Sequence, residues 1–162
     1  TGHLVLSTLH TTTATGSVTR LINMGVEPFL ITSSVILVAA QRLVRKICPN
    51  CKESYELDAQ IAQKYNIKAE RNKVRLYRGK GCEVCRKTGY KGRLGLIEVL
   101  TLSPKIKDLI LESAQEHKIR DQSRIEGMRT LRENGVRLAL EGLTTLDEIV
   151  RVTVGDQDIE AA

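Results

Sequence analysis

The chain has 162 residues, 41% of them hydrophobic and 27% charged, with a formal net charge of +6. That length supports one domain or slightly more, burying roughly 70% of the unfolded surface, and the composition is that of a soluble globular protein. The positive balance admits anionic partners, but 3% aromatics with one Phe and no Trp leave a base-stacking platform for single strands poorly supplied.

Thr1-Gly2 runs straight into an apolar stretch with no initiator Met and no cap, which reads as a fragment cut from a longer protein. Residues 3–9 (HLVLSTL) are apolar and β-branched over a strand length, and Thr11, Thr12 and Thr13 break the run. Such a run suits a buried, parallel strand. His3 and His10 bracket it. The end of such a strand is where an open α/β sheet places ligand-facing groups, while the residue types alone favour two surface histidines at strand ends.

Residues 13–24 read as a helix, with Thr13 as N-cap, an apolar stripe of Val18, Leu21, Ile22 and Met24, and Gly25 closing it. Pro28 starts a second short helix to about Ser34. Residues 29–40 are apolar but too short to cross a bilayer, and no basic leader precedes them. Residues 35–46 fit a strand better than a helix, with Gln41, Arg42 and Arg45 as polar outliers.

The four cysteines form two Cys-x-x-Cys knuckles, Cys48-Pro-Asn-Cys51 and Cys82-Glu-Val-Cys85. Two intervening residues let both sulfurs of a knuckle face one point, and four thiolates make a closed tetrahedral zinc site, which is structural because no position is left for water or substrate. Two disulfides, a redox dithiol and an iron–sulfur cluster are the other chemistries open to this set. Gly79, Gly81, Gly89 and Gly92 surround the second knuckle, where backbone turns sharply. Lys46, Lys52, Lys80, Arg86 and Lys87 flank the sulfurs. They either offset the charge of minus two on a four-thiolate zinc or form an ordinary solvated surface.

Between the knuckles, Leu57–Tyr65 reads as a small helix started by Asp58, and Val74–Tyr77 alternates as a strand. Residues 94–100 form another strand, whose Glu98 is expected to point outward, since a buried carboxylate there would need an Arg partner. From residue 103 the pattern is helical. Ser103-Pro104 is a cap followed by Pro at the first helical position; Ile106, Leu109, Ile110 and Ala114 follow at helical spacing. Thr130–Glu133 and Thr145–Glu148 each fit a capping box, and Gly142 separates the helices they open. The tail from Asp156 is acidic and expected to fray. No phosphate-binding Gly-x-x-x-x-Gly-Lys-[Ser/Thr] occurs in the chain, so no complete active site is legible.

Several stretches, in order, resemble the secretion-ATPase superfamily, the type II secretion ATPases and type IV pilus extension motors. Thr1–Thr11 resembles their "His box", followed by Val18–Phe29, Gln41–Arg45, the tetracysteine ribbon, Thr88–Arg93 with Gly95 and Glu98, Gly127–Leu131 and Gly142–Glu148. The chain has Thr11-Thr12 where that family usually shows Thr-Asn, and its ribbon resembles extension and secretion motors more than retraction motors. The resemblance implies an α/β fold: the C-terminal part of a RecA-like ATPase domain with an inserted four-cysteine zinc ribbon and a C-terminal helical subdomain. It divides the chain into 1–46 (ATPase core), 47–93 (ribbon), 94–102 (connecting strand) and 103–162 (helical subdomain).

It further implies a cytoplasmic motor peripheral to the inner membrane, hexameric, using ATP and Mg, and partnered by an inner-membrane platform protein and other assembly proteins. No nucleic acid partner is expected, and the phosphate loop would lie upstream. By the same resemblance His3 and His10 are the His-box histidines near the γ-phosphate end of the nucleotide, which reverses the surface reading above, and Cys48, Cys51, Cys82 and Cys85 are the zinc ligands. Two other readings of the ribbon remain: a module docking the platform protein or a regulator, and a nucleic-acid-binding zinc ribbon.

Overall fold

A computed structural model describes residues 2–67 and 73–153; the expectation for the acidic tail lies outside them. The order is α1 (Ala14–Asn23), α2 (Pro28–Ser34), β1 (Leu37–Ile47), β2 (Lys52–Asp58), α3 (Ala59–Gln63), β3 (Lys73–Gly79), β4 (Tyr90–Thr101), α4 (Pro104–Leu111), α5 (Glu116–Ile125), α6 (Leu131–Leu140) and α7 (Leu146–Val152), with a 3₁₀ turn inside each cysteine knuckle. It is a mixed α/β chain. β1 pairs with β4 and β2 with β3, as separate two-stranded sheets. No described helix is long and apolar enough to cross a membrane.

The chain divides into two compact units, one of residues 1–40 and 98–128, the other of 41–97 and 129–162. In the first, α1 packs on α2 and α5, and α4 on α2 and α5, around buried Val18, Ile31, Leu100, Ile106, Ile110 and Ile119. Thr13 caps α1 by accepting the Gly16 N–H, and Ser103 caps α4 by accepting that of Ile106. The helix at Glu116–Ile125 is not evident in the sequence. Its only apolar residues are Ile119 and Ile125, of which Ile119 alone is buried.

The second unit holds the β2–β3 hairpin, antiparallel from Lys52 opposite Gly79 to Asp58 opposite Lys73. β2 (KESYELD) escapes sequence reading because no strongly apolar face marks it: its residues alternate between exposed and half-buried. The hairpin packs on α6, and α6 on α7. Gly135 in α6 allows that second contact, since a Cβ there would meet the Ile149 side chain at 2.5 Å.

Residues 3–9 do not form the expected strand. They are irregular, and Leu4, Val5 and Leu6 are 79%, 79% and 88% exposed. A parallel strand takes its backbone partners from neighbours, and both described sheets are two-stranded without this segment.

Candidate metal centre

The first knuckle follows β1, whose last residue is tied down when the Ile47 N–H donates to the Leu143 carbonyl at 3.0 Å. The Cys48 N–H then donates to the Gly89 carbonyl at 2.9 Å, joining the first knuckle to the exit of the second. After Cys85, Arg86 and Lys87 both take left-handed backbone, φ 52° and 64°. This reversal lets the Lys87 N–H reach the Cys82 carbonyl at 2.8 Å. Gly79 and Gly89 approach so closely that a Cβ on Gly79 would lie 2.0 Å from the Gly89 carbonyl oxygen.

These turns bring all four sulfurs within 4.8 Å of one another. Cys48–Cys82 is 3.9 Å, Cys51–Cys85 3.8 Å and Cys82–Cys85 3.7 Å. A tetrahedron of sulfurs at about 2.3 Å from a zinc ion has edges of about 3.8 Å, so the donor set fits one such ion. Cys48, Cys51, Cys82 and Cys85 are free thiols, which removes the two-disulfide reading, as a bond would bring the sulfurs to about 2.05 Å. Sulfurs this close have room for a single ion and not for a body of several irons.

The outer shell is made of backbone. Gly81 N–H donates to the Cys51 sulfur at 3.3 Å, Cys82 N–H to that of Cys85 at 3.2 Å, and Gly89 N–H to Cys85 at 3.3 Å. Burial opposes ionisation of Cys85, yet the Cys82 and Gly89 N–H groups and neighbouring thiols outweigh it and bring it down to about 6. Burial pushes Cys51 up to about 12 against the Gly81 N–H, and the other thiols add to the rise. One sulfur is thus ready as a thiolate ligand, and the others lose their protons when a cation arrives. Among the flanking cations, Lys87 pairs with Glu83 at 2.6 Å and Lys52 lies 4.4 Å over the Tyr77 ring; Lys46, Lys80 and Arg86 are exposed.

The unit carrying this centre also holds a buried carboxylate. Glu148 has no side-chain exposure. It accepts from Arg45 through Nε at 3.0 Å, Nη2 at 2.7 Å and the backbone N–H at 3.0 Å, and from Arg151 through Nε at 3.1 Å and Nη2 at 2.7 Å. Arg45 also lies 4.2 Å over the Tyr90 ring, whose hydroxyl bonds Thr145 at 2.8 Å. Arg45 is therefore no outlier but the partner of Glu148. The capping box at Thr145 is only half made: Thr145 accepts the Glu148 N–H, while the carboxylate turns to the arginines. The box at Thr130 and Glu133 is complete.

His3 and His10 lie in the other unit, both exposed on the irregular segment. Four residues beyond His10, that segment enters α1. Here the expectation for Glu98 fails: it is 2% exposed, and its Oε1 accepts the Ala14 N–H at 2.7 Å. A helix N-terminus offers unpaired N–H groups and positive potential, so the start of α1 receives the buried Glu98 carboxylate.

The chain matches the family model described as type II/IV secretion system protein over residues 1–151. It is 45% identical over 94% of its length to the type II secretion system ATPase E of Vibrio cholerae. It is 44% identical over 95% to the type IV pilus assembly ATPase PilB of Thermus thermophilus, and 43% over 94% to the type IV pilus assembly ATPase TfpB of Acinetobacter baylyi. It spans 30%, 17% and 26% of those relatives' lengths, respectively. With the match running through the irregular segment, both cysteine knuckles and the helices that follow, the chain belongs to the type II/IV secretion system protein family.

Proposed function

We propose that the chain is the C-terminal part of a hexameric motor ATPase whose hydrolysis of ATP drives pilin or pseudopilin assembly at the inner membrane. The observation that carries this reading is identity of 43–45% over nearly the whole chain to proteins named as type II secretion and type IV pilus ATPases alike. On this reading residues 1–46 belong to a RecA-like core, 47–93 to the ribbon and 103–162 to a helical subdomain, joined by 94–102. Cys48, Cys51, Cys82 and Cys85 hold a structural zinc, and the sulfur geometry supports that assignment. The whole motor works on the cytoplasmic side against a membrane platform protein. This chain contains no phosphate loop and is inactive alone.

His3 and His10 stand at the γ-phosphate end of the nucleotide. A histidine there gains a hydrogen bond only while that phosphate is present, which is the differential contact a switch requires. Both side chains are exposed and so accessible to a ligand. In the whole ATPase, His10→Ala should cut ATP turnover severely with the thermal melt unchanged. Wild-type turnover in that variant would remove the assignment.

A further inference from the structure

The point where the histidine-bearing segment becomes helix is held by a residue distant in sequence. Thr13 Oγ1 accepts the Gly16 N–H at 3.0 Å as an ordinary N-cap. The same oxygen donates its proton to Glu116 Oε1 at 3.0 Å, and Thr15 Oγ1 donates to that carboxylate oxygen at 2.9 Å. Thr15 is 1% exposed, whereas Glu116, at the first position of α5, is only half-buried.

Capping α1 does not require Glu116, because Thr13 and Glu98 already accept N–H groups there. The carboxylate instead binds two hydroxyls, and by making Thr13 Oγ1 donor and acceptor at once it leaves that side chain a single rotamer. Gly16 provides the room: a Cβ there would lie 2.8 Å from Thr13 Oγ1 and 3.4 Å from Glu116 Oε1. Alanine is the better helix former, so glycine in the first turn serves the space around the carboxylate. Upstream, Thr11 Oγ1 and Ser17 Oγ lie 2.7 Å apart, and Ser17 Oγ donates to the Thr13 carbonyl at 3.2 Å. Hydrogen bonds therefore link Thr11, beside His10, through Ser17 to the Thr13 backbone, and the Thr13 and Thr15 hydroxyls side by side to Glu116 on α5.

We infer that Glu116 is a positioning residue for the nucleotide reaction, fixing through Thr13 and Thr15 the point from which the segment bearing His10 leaves α1. The inference rests on the role proposed above for His10. A cycle of His10→Ala, Glu116→Ala and the double variant in the whole ATPase tests it, with Glu116→Gln as the variant that keeps a carbonyl acceptor for the two hydroxyls. Misplacement by about an ångström costs up to roughly a hundredfold in rate. Glu116→Ala should therefore lower kcat by tenfold or more, leave the KM for ATP within about twofold, and add no further loss once His10 is gone. Glu116→Gln should recover most of kcat.

Unchanged kcat in Glu116→Ala overturns the inference, as does a loss that multiplies fully with that of His10→Ala or is not recovered by Gln. In those cases a damaging His10→Ala leaves the functional reading standing. If His10→Ala itself is harmless, the reading falls and the inference with it.

Discussion

Replacing Glu148 with Gln keeps the shape of the side chain but removes its charge from between Arg45 and Arg151. Burial works against the Glu148 carboxylate, and the hydrogen bonds from Arg151 and Arg45 more than offset it, holding its pKa near about 2 against an ordinary 4.5. At about 1.36 kcal/mol per pH unit, that difference is worth about 3 kcal/mol. Breaking a buried pair by removing one partner commonly costs about 3–5 kcal/mol, because the other charge is stranded. Here the stranded partners are arginines whose side chains are 48% and 58% exposed, so they relax into water and the loss stays near the lower figure. Glu148→Gln should therefore unfold more easily by about 3 kcal/mol at pH 7.

The sign of the pH dependence follows from a folded pKa below the unfolded one. The stabilisation is fully present above about 4.5 and is lost as pH falls from there through about 2. Urea unfolding of wild type and Glu148→Gln across pH 2–7 measures the gap directly, and acid-driven metal release, common to both proteins, cancels in the difference. The gap should be constant above about pH 5.5, shrink to roughly 1.4 kcal/mol at pH 3 and nearly vanish by about pH 2. A gap at pH 3 still as large as at pH 7, or a Glu148 carboxyl carbon titrating near 4.5 by NMR, would show that the arginines do not hold the carboxylate ionised.

Two further substitutions test the local geometry. Gly79→Ala places a methyl 2.0 Å from the Gly89 carbonyl oxygen. Backbone must move, so metal affinity measured by chelator competition should fall at least tenfold, the lower end of what displaced outer-shell groups cost elsewhere; wild-type affinity would show that the close approach is dispensable. Thr130→Ala removes an N-cap and half of a complete capping box. It should cost about 1 kcal/mol by urea unfolding and leave Glu133→Ala nearly without effect in the same background; additive losses would mean the two bonds are independent.

Much of the architecture is written locally. Thr13, Pro28, Ser103, Thr130 and Thr145 mark helix starts, and all five helices begin there in the structure. The knuckle spacing likewise specifies a convergence of four sulfurs, since two-residue loops around a reversed backbone leave few other outcomes. What escaped depends on partners far away in the chain. Arg45 and Glu148 are 103 residues apart, and neither position says that the other exists. Glu98 looks outward-facing because its strand neighbours are apolar; its partner is the start of a helix 84 residues earlier. The segment 3–9 errs the other way: its composition is that of a strand, but a strand forms only when another pairs with it. Glu116 lay beyond reach because α5 carries too few apolar residues to announce itself.

The four-sulfur centre organises the ribbon, so its metal content is the most direct test. Elemental analysis of the purified chain, with thermal melts before and after chelation, should give one zinc per chain and a large loss of stability on chelation. Small structural zinc sites are worth on the order of 10–16 kcal/mol, so the effect should be unmistakable. Metal-free protein with four titratable thiols and a melt indifferent to chelator would contradict the account.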